Sequence, residues 1–304
     1  MSSSATASRR LRNSASKRIE RGSITDLAGE SGNAYSRAMF GGALYGVLAL
    51  LALIPMTALR LRATDRRDFL FWLCLGIAIA GPAISAAAQL GGAWRTGFAM
   101  SLWLTIAVTL ALFACLSAWQ PQAWRLAPVL LPYLLILGAI ALIWQRAPER
   151  PLVEGVPAGW FGAHILFALV TYGLLTLAAV AGAAVALQER ALKAKRPTGL
   201  TRSLPAVAES GRLQLGLLMA SEIVLALGLA SGMAAEHFLN GRLLVFDHKT
   251  ILSLAAFVAI ALLLVAHRFT GVRGQRAARG VLVAYLLLTL AYPGVKFVTD
   301  VLMS

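Results

Sequence analysis

Uninterrupted apolar runs of about 20 residues recur along this chain, and no other feature constrains its fold as strongly. That length is what an α-helix needs to cross the hydrocarbon core of a bilayer. In lipid the backbone must satisfy its own hydrogen bonds, so each run is committed to a helix. Eight runs are legible, at residues 38–59, 68–90, 97–118, 127–145, 160–187, 213–235, 250–267 and 279–301. They predict an all-α, polytopic membrane bundle of about eight transmembrane helices. Composition agrees: 13% of the 304 residues are charged, against about a quarter in a soluble domain, and mean hydropathy is +0.73.

The formal net charge of +15 would fit a nucleic-acid partner only if the cations were clustered for one. They lie instead in short segments between apolar runs, as orientation signals and contacts for anionic headgroups. Loops one, three, five and seven carry Arg60, Arg62, Arg66 and Arg67; Arg125; Arg190, Lys193, Lys195, Arg196, Arg202 and Arg212; and Arg268, Arg273, Arg276 and Arg279. The even loops carry only Arg95, Arg146, Arg150, Arg242 and Lys249. Positive loops remain cytoplasmic, so the even loops and both termini are expected outside. Residues 1–37 conflict with that placement. They are basic and rich in Ser and Arg, have no apolar periodicity, and read as a disordered tail. The expected reconciliation is initiation at Met39, and residues 38–304 are read as the membrane domain.

Polar groups inside a span are costly and are therefore the first functional candidates. Of the four histidines, His164 opens span five and His248 opens span seven, both at the outer end. His267 closes span seven at the inner face, and His237 lies just beyond span six. His248 and His267 are about 28 Å apart along a helix, so they cannot share an iron or other metal, whereas His164 and His248 can. The stretch FDHKT puts Asp247 and Lys249 beside His248. Lys296 lies in the outer third of span eight, four residues before Asp300, and either snorkels to the interface or joins Lys249 at an anionic ligand. Glu222, midway along span six, is expected protonated, paired or facing a wet cavity. The small-residue runs AAVAGAAVA (178–186) and GLASG (228–232) suit close helix packing, and Pro55, Pro82 and Pro293 are expected to kink their spans. Cys74 and Cys115 form no CxxC or CxxCH pair. No nucleotide-binding or hydrolase motif occurs.

Span five, HILFALVTYGLLTLAA, resembles the histidine-start helix, H-I-x-x-x-x-x-x-Y, of the cytochrome c assembly family. These haem-handling membrane proteins include CcsA and CcmC. The segments HKTILSLAAFVAIALLLVAHRFTGVRGQRAARG and LTLAYPGVKFV resemble its YpjD branch, with HemX-like proteins as neighbours. The likeness covers about 160–300 closely and reaches residue 39 more loosely. It implies an eight-helix bundle in the bacterial inner membrane that binds haem b non-covalently, with His164 matching an outward axial ligand and His267 an inner histidine. FDHKTIL stands where CcsA has W-D-P-K-E-T-W. Asp247, Lys249 and Thr250 match, while both tryptophans, the proline and a second outward histidine do not. The inferred replacement is His248 as second ligand, with Lys249 and Lys296 at the propionates and Asp247 orienting one of its neighbours.

The expected function is haem handling in cytochrome c assembly or haem homeostasis, with no bond-making step and with haem, the bilayer and an apocytochrome as partners. Two rivals belong to other classes. One is a permease with Glu222 as coupling group, and the other a HemX-like scaffold whose basic loops 188–212 and 268–279 hold a partner.

Overall fold

The computed structural model describes residues 44–59, 68–89, 95–145, 150–151, 158–241, 247–271, 274–294 and 297–298. The tail at 1–37, Met39 and Lys296 lie outside them. The described residues are predominantly helical: α1 (Leu44–Leu59), α2 (Phe69–Gln89), α3 (Phe98–Trp119), α4 (Ala127–Ile143), α5 (Ala158–Lys193), the short α6 (Gly199–Ser203), α7 (Val207–Asn240), α8 (His248–Thr270) and α9 (Gly274–Thr289). Among the described residues, strand structure is confined to one antiparallel pair of two-residue segments, β1 (Arg95–Thr96) and β2 (Arg150–Pro151).

Six stretches are long and apolar enough to cross a membrane: Phe69–Ala88, Phe98–Trp119, Ala123–Ile143, Gly159–Lys193, Val207–Leu239 and His248–Thr270. The all-α multi-span class therefore stands, with six qualifying helices among the described residues. The other two expected spans hold α1, which is shorter, and α9, whose first turns GQRAARG are polar. Past Thr289 the ladder loosens into a π-turn, Leu290–Gly294, that contains Pro293. Proline has no N–H to donate, so a shift to i→i+5 pairing there is its direct consequence.

Helix ends follow local chemistry. Asp68 Oδ1 accepts from Phe71 N (3.1 Å) at the start of α2. α7 and α8 terminate at Gly241 (φ 65°) and Gly271 (φ 63°), left-handed positions that glycine takes without strain. Glu189, on the polar extension of α5, accepts from Gln275 N at the start of α9 (3.2 Å). A carboxylate there complements the positive end of the helix dipole.

α5 is the central post and packs against α3, α7 and α9. Its residues 178–186 are the small-residue run, and the contact is as close as that run implies. A Cβ on Gly182 would stand 3.2 Å from Gln214 Nε2 of α7 and 3.4 Å from the Ala278 backbone of α9. Between helices in lipid, such close approach supplies dispersion energy where hydrophobic exclusion supplies little. On the other side Trp103, Phe71 and Phe113 are wholly buried. α8 is peripheral: 11% of its span is buried, against 67% for α5, leaving Ile251, Val258 and Leu262 as an exposed apolar stripe.

Candidate functional site

One turn of α5 and one turn of α7 form the centre of the site. Trp160, on the first turn of α5, donates its indole N–H to the Ser231 carbonyl of α7 (3.1 Å). One turn on, His164 Nδ1 lies 2.8 Å from Ser231 Oγ. The ring rests on Gly232: a Cβ there would stand 3.0 Å from His164 Cε1. The run GLASG is thus small where the imidazole needs clearance.

His164 lines a cavity of about 390 Å³ between α5, α7, α8 and the end of α9. That volume lies within the 300–1,000 Å³ usual for small-molecule and cofactor sites. The walls are mostly apolar, with Leu225, Leu229, Leu254 and Leu288 prominent, while Glu236, Asp247, Lys249 and Thr250 form a polar rim. At the inner end are Thr171 and Tyr172. Thr171 lies seven residues from His164, about 10 Å further along the helix and nearly in line with it. It is 1% exposed, and its hydroxyl has no hydrogen-bond partner among the described residues.

Tyr172, the tyrosine of the H-I-x-x-x-x-x-x-Y pattern, turns from the cavity into a hydroxyl cluster. Tyr285 O–H donates to Tyr172 Oη (2.9 Å). Tyr172 lies 3.4 Å from Thr289 Oγ1, whose own proton goes to the Tyr285 carbonyl (2.7 Å), so Thr289 accepts. Tyr133 bonds Tyr285. Tyr133 and Tyr172 are also 3.3 Å apart, so the hydroxyls of α4, α5 and α9 form one network behind Tyr172.

At the rim, Asp247 is the N-cap of α8, its Oδ1 accepting from Thr250 N (2.8 Å). Partial burial alone would raise this carboxyl. The bonds from Thr250 and the positive neighbours Lys249 and His248 outweigh it, and the group lies below the usual carboxylate range. Asp247 was expected to orient His248 or Lys249; its Oδ1 holds the helix end.

The structure thus brings together His164, Asp247 and Lys249. His248 is exposed and outside the cavity lining, although its two neighbours in sequence belong to it. His267 lies in the last turn of α8, at the other end of that helix. Sequence reasoning missed Ser231, Gly232, Met233, Glu236 and Thr171. A usable signal existed for Ser231 and Gly232, both in the small-residue run GLASG. Among the described residues, no group of three or more His, Cys, Asp or Glu side chains stands ready to cage a bare metal ion. A haem brings its own equatorial nitrogens and asks the protein for axial ligands only, and a lone imidazole in an apolar, cofactor-sized cavity fits that demand.

Fold and site define a multi-span helical membrane protein with a histidine-bearing cavity between its helices. The profile of the family described as "Cytochrome C assembly protein" matches residues 93–303, and the chain belongs to that family. Membership supports a membrane haem-handling role in cytochrome c biogenesis. The chain is also 54% identical, over 266 residues, to an "Uncharacterized 28.8 kDa protein in nifR3-like 5'region" of Azospirillum brasilense, covering 86% of this chain and 98% of that protein. No solved structure matches.

Proposed function

We propose that the chain binds haem b non-covalently in the cavity between α5, α7 and α8 and carries it for cytochrome c assembly, without a bond-making step of its own. The observation that carries this reading is His164, an imidazole held at its Nδ1 side in the wall of an apolar cavity of cofactor size. His164 would supply a nitrogen ligand to the iron. Lys249, on the rim, supplies an ammonium to a propionate, a charge-assisted bond that strengthens away from bulk water. Lys296 is proposed as its companion. The leucine walls exclude water from the iron, which provides the group's ligand and electron-transfer chemistry when bound.

For the second axial position we propose His248, which must turn inward from the first turn of α8. Met233, a thioether already in the cavity wall, is its competitor, and the two differ in reduction potential because methionine ligation raises that of the iron. The excess of basic residues in the odd loops supports placing the cavity mouth on the outer side of a bacterial inner membrane. The scaffold reading is the rival if haem is absent. The permease reading draws on Glu222, both of whose carboxyl oxygens are buried without a hydrogen-bond partner among the described residues.

Purified protein expressed with haem supply tests the proposal. Extractable, non-covalent b-type haem near one equivalent per chain is expected. Haem-free protein that also fails to take up haemin in detergent would overturn it. Proton-coupled uptake abolished by Glu222→Gln would replace it with the permease reading.

A further inference from the structure

We infer that Ser231 is a positioning residue that fixes the tautomer of His164 and so presents a bare Nε2 lone pair to the cavity. The inference rests on the haem reading for its purpose but not for its geometry. Ser231 Oγ is 2.8 Å from the Gly228 carbonyl oxygen and 2.8 Å from His164 Nδ1. A hydroxyl has one proton to give, and a carbonyl oxygen can only accept. With that proton given to Gly228, as in the other back-bonded serines, Oγ meets the imidazole as an acceptor; the Gly228 backbone bonds His164 as well. His164 must then carry its proton on Nδ1, and a neutral ring protonated there has its free lone pair on Nε2.

The back-bond from Ser231 to Gly228 is ordinary for a helical serine. Ser101 and Ser221 make the same bond to Phe98 O (2.7 Å) and Leu218 O (2.8 Å). The difference at Ser231 is the imidazole on the remaining lone pair, combined with two further restraints on the same turn. The Ser231 carbonyl is bonded by the Trp160 indole, and Gly232 leaves the ring its space. Hydroxyl, carbonyl and missing Cβ together fix both orientation and proton position, the two properties that outer partners of a metal-binding histidine control. A hydroxyl acceptor carries no charge, so it makes Nε2 less basic than a carboxylate partner would. That suits a site that must release its cargo as well as hold it.

The test uses full-length, ligand-free protein in detergent, labelled with ¹⁵N-histidine and held at alkaline pH where imidazole is neutral. Loss of signals in His164→Gln assigns the residue. Wild type should show Nδ1 protonated and Nε2 bare. Ser231→Ala should move the proton predominantly to Nε2, and Ser231→Thr, which keeps the hydroxyl, should restore the wild-type pattern. In a parallel haemin titration Ser231→Ala should lose about 10–100-fold in affinity, the usual effect of removing an outer partner, and Ser231→Thr should recover most of it. Nε2 protonated in wild type, or a tautomer unchanged in Ser231→Ala, would overturn the assignment. An Nδ1 proton that moves in Ser231→Ala, in a protein that binds no haemin, would uphold the positioning role and overturn only the haem reading.

Discussion

At the scale of single residues, Gly232 and Asp247 make separable contributions. Gly232→Ala places a methyl 3.0 Å from the His164 ring, so the imidazole must shift by a few tenths of an ångström. Alanine is favoured over glycine in a helix interior by about 1 kcal/mol. The expected outcome is haemin affinity down about tenfold with thermal stability unchanged or raised; equal losses in both would contradict a site-specific role. Asp247→Ala removes the cap of α8 and should cost about 1 kcal/mol, with Asp247→Asn retaining most of it. The Asp247 carboxyl is lower in the folded protein than in the unfolded chain, because its Thr250 bonds and cationic neighbours outweigh burial. Its contribution is therefore complete above the unfolded value of about 3.9 and fades as pH falls through the lower folded value. Melting temperatures of wild type and Asp247→Asn should differ by a constant amount near neutrality and converge only in strong acid. His164, Asp247 and Lys249 were legible in the sequence because ionisable groups stand out at the ends of apolar runs. Met233 and Thr171 were not, because methionine and threonine are unremarked in a transmembrane helix, and Ser231 stood out only as one small residue of GLASG. Only the pairing of α5 with α7 and α8 gives them a role.

At the scale of helices, the apolar runs located the crossings but not the helix ends. Span five was expected at 160–187, and α5 runs over Ala158–Lys193. Span six was expected at 213–235, and α7 runs over Val207–Asn240. Hydrophobic length reports where lipid ends. A helix continues past that point when the next residues are good helix formers with something to hold them. Here the polar extension of α5 is anchored by Gln188 Nε2 donating to the Pro205 carbonyl (2.5 Å) and by Glu189 at the start of α9. The tyrosine cluster was equally illegible, because Tyr133, Tyr172 and Tyr285 are far apart in sequence and meet only through the packing of α4, α5 and α9. Tyr285→Phe removes one of three mutually bonded hydroxyls and leaves only the 3.3 Å contact between Tyr133 and Tyr172. A loss of about 1 kcal/mol is expected, within the range for hydrogen bonds between membrane helices, measured by unfolding in mixed micelles. No change would mean the cluster contributes nothing to holding the three helices together.

At the scale of the whole molecule, alternation of the spans implies that even-numbered loops share one end. The structure joins loops two and four directly through the β1–β2 pair, Arg95 opposite Pro151 and Thr96 opposite Arg150. It also gathers His164, at the start of α5, with Asp247 and Lys249, at the start of α8, around one cavity. The excess of cations in the odd loops predicts which side that end faces. Single cysteines at residues 249 and 196, in a background lacking Cys74 and Cys115, should respond differently to a membrane-impermeant thiol reagent in intact cells. Labelling is expected at 249 and not at 196, and the reverse pattern would invert the topology. The central claim is that His164 holds haem iron in this cavity. The most direct test is the oxidised and dithionite-reduced absorption spectrum of detergent-purified protein beside His164→Ala, His248→Ala and Met233→Ala. A b-type spectrum is expected, lost or severely weakened in His164→Ala and turned high-spin by whichever of the other two removes the second ligand. A spectrum unchanged in His164→Ala would contradict it.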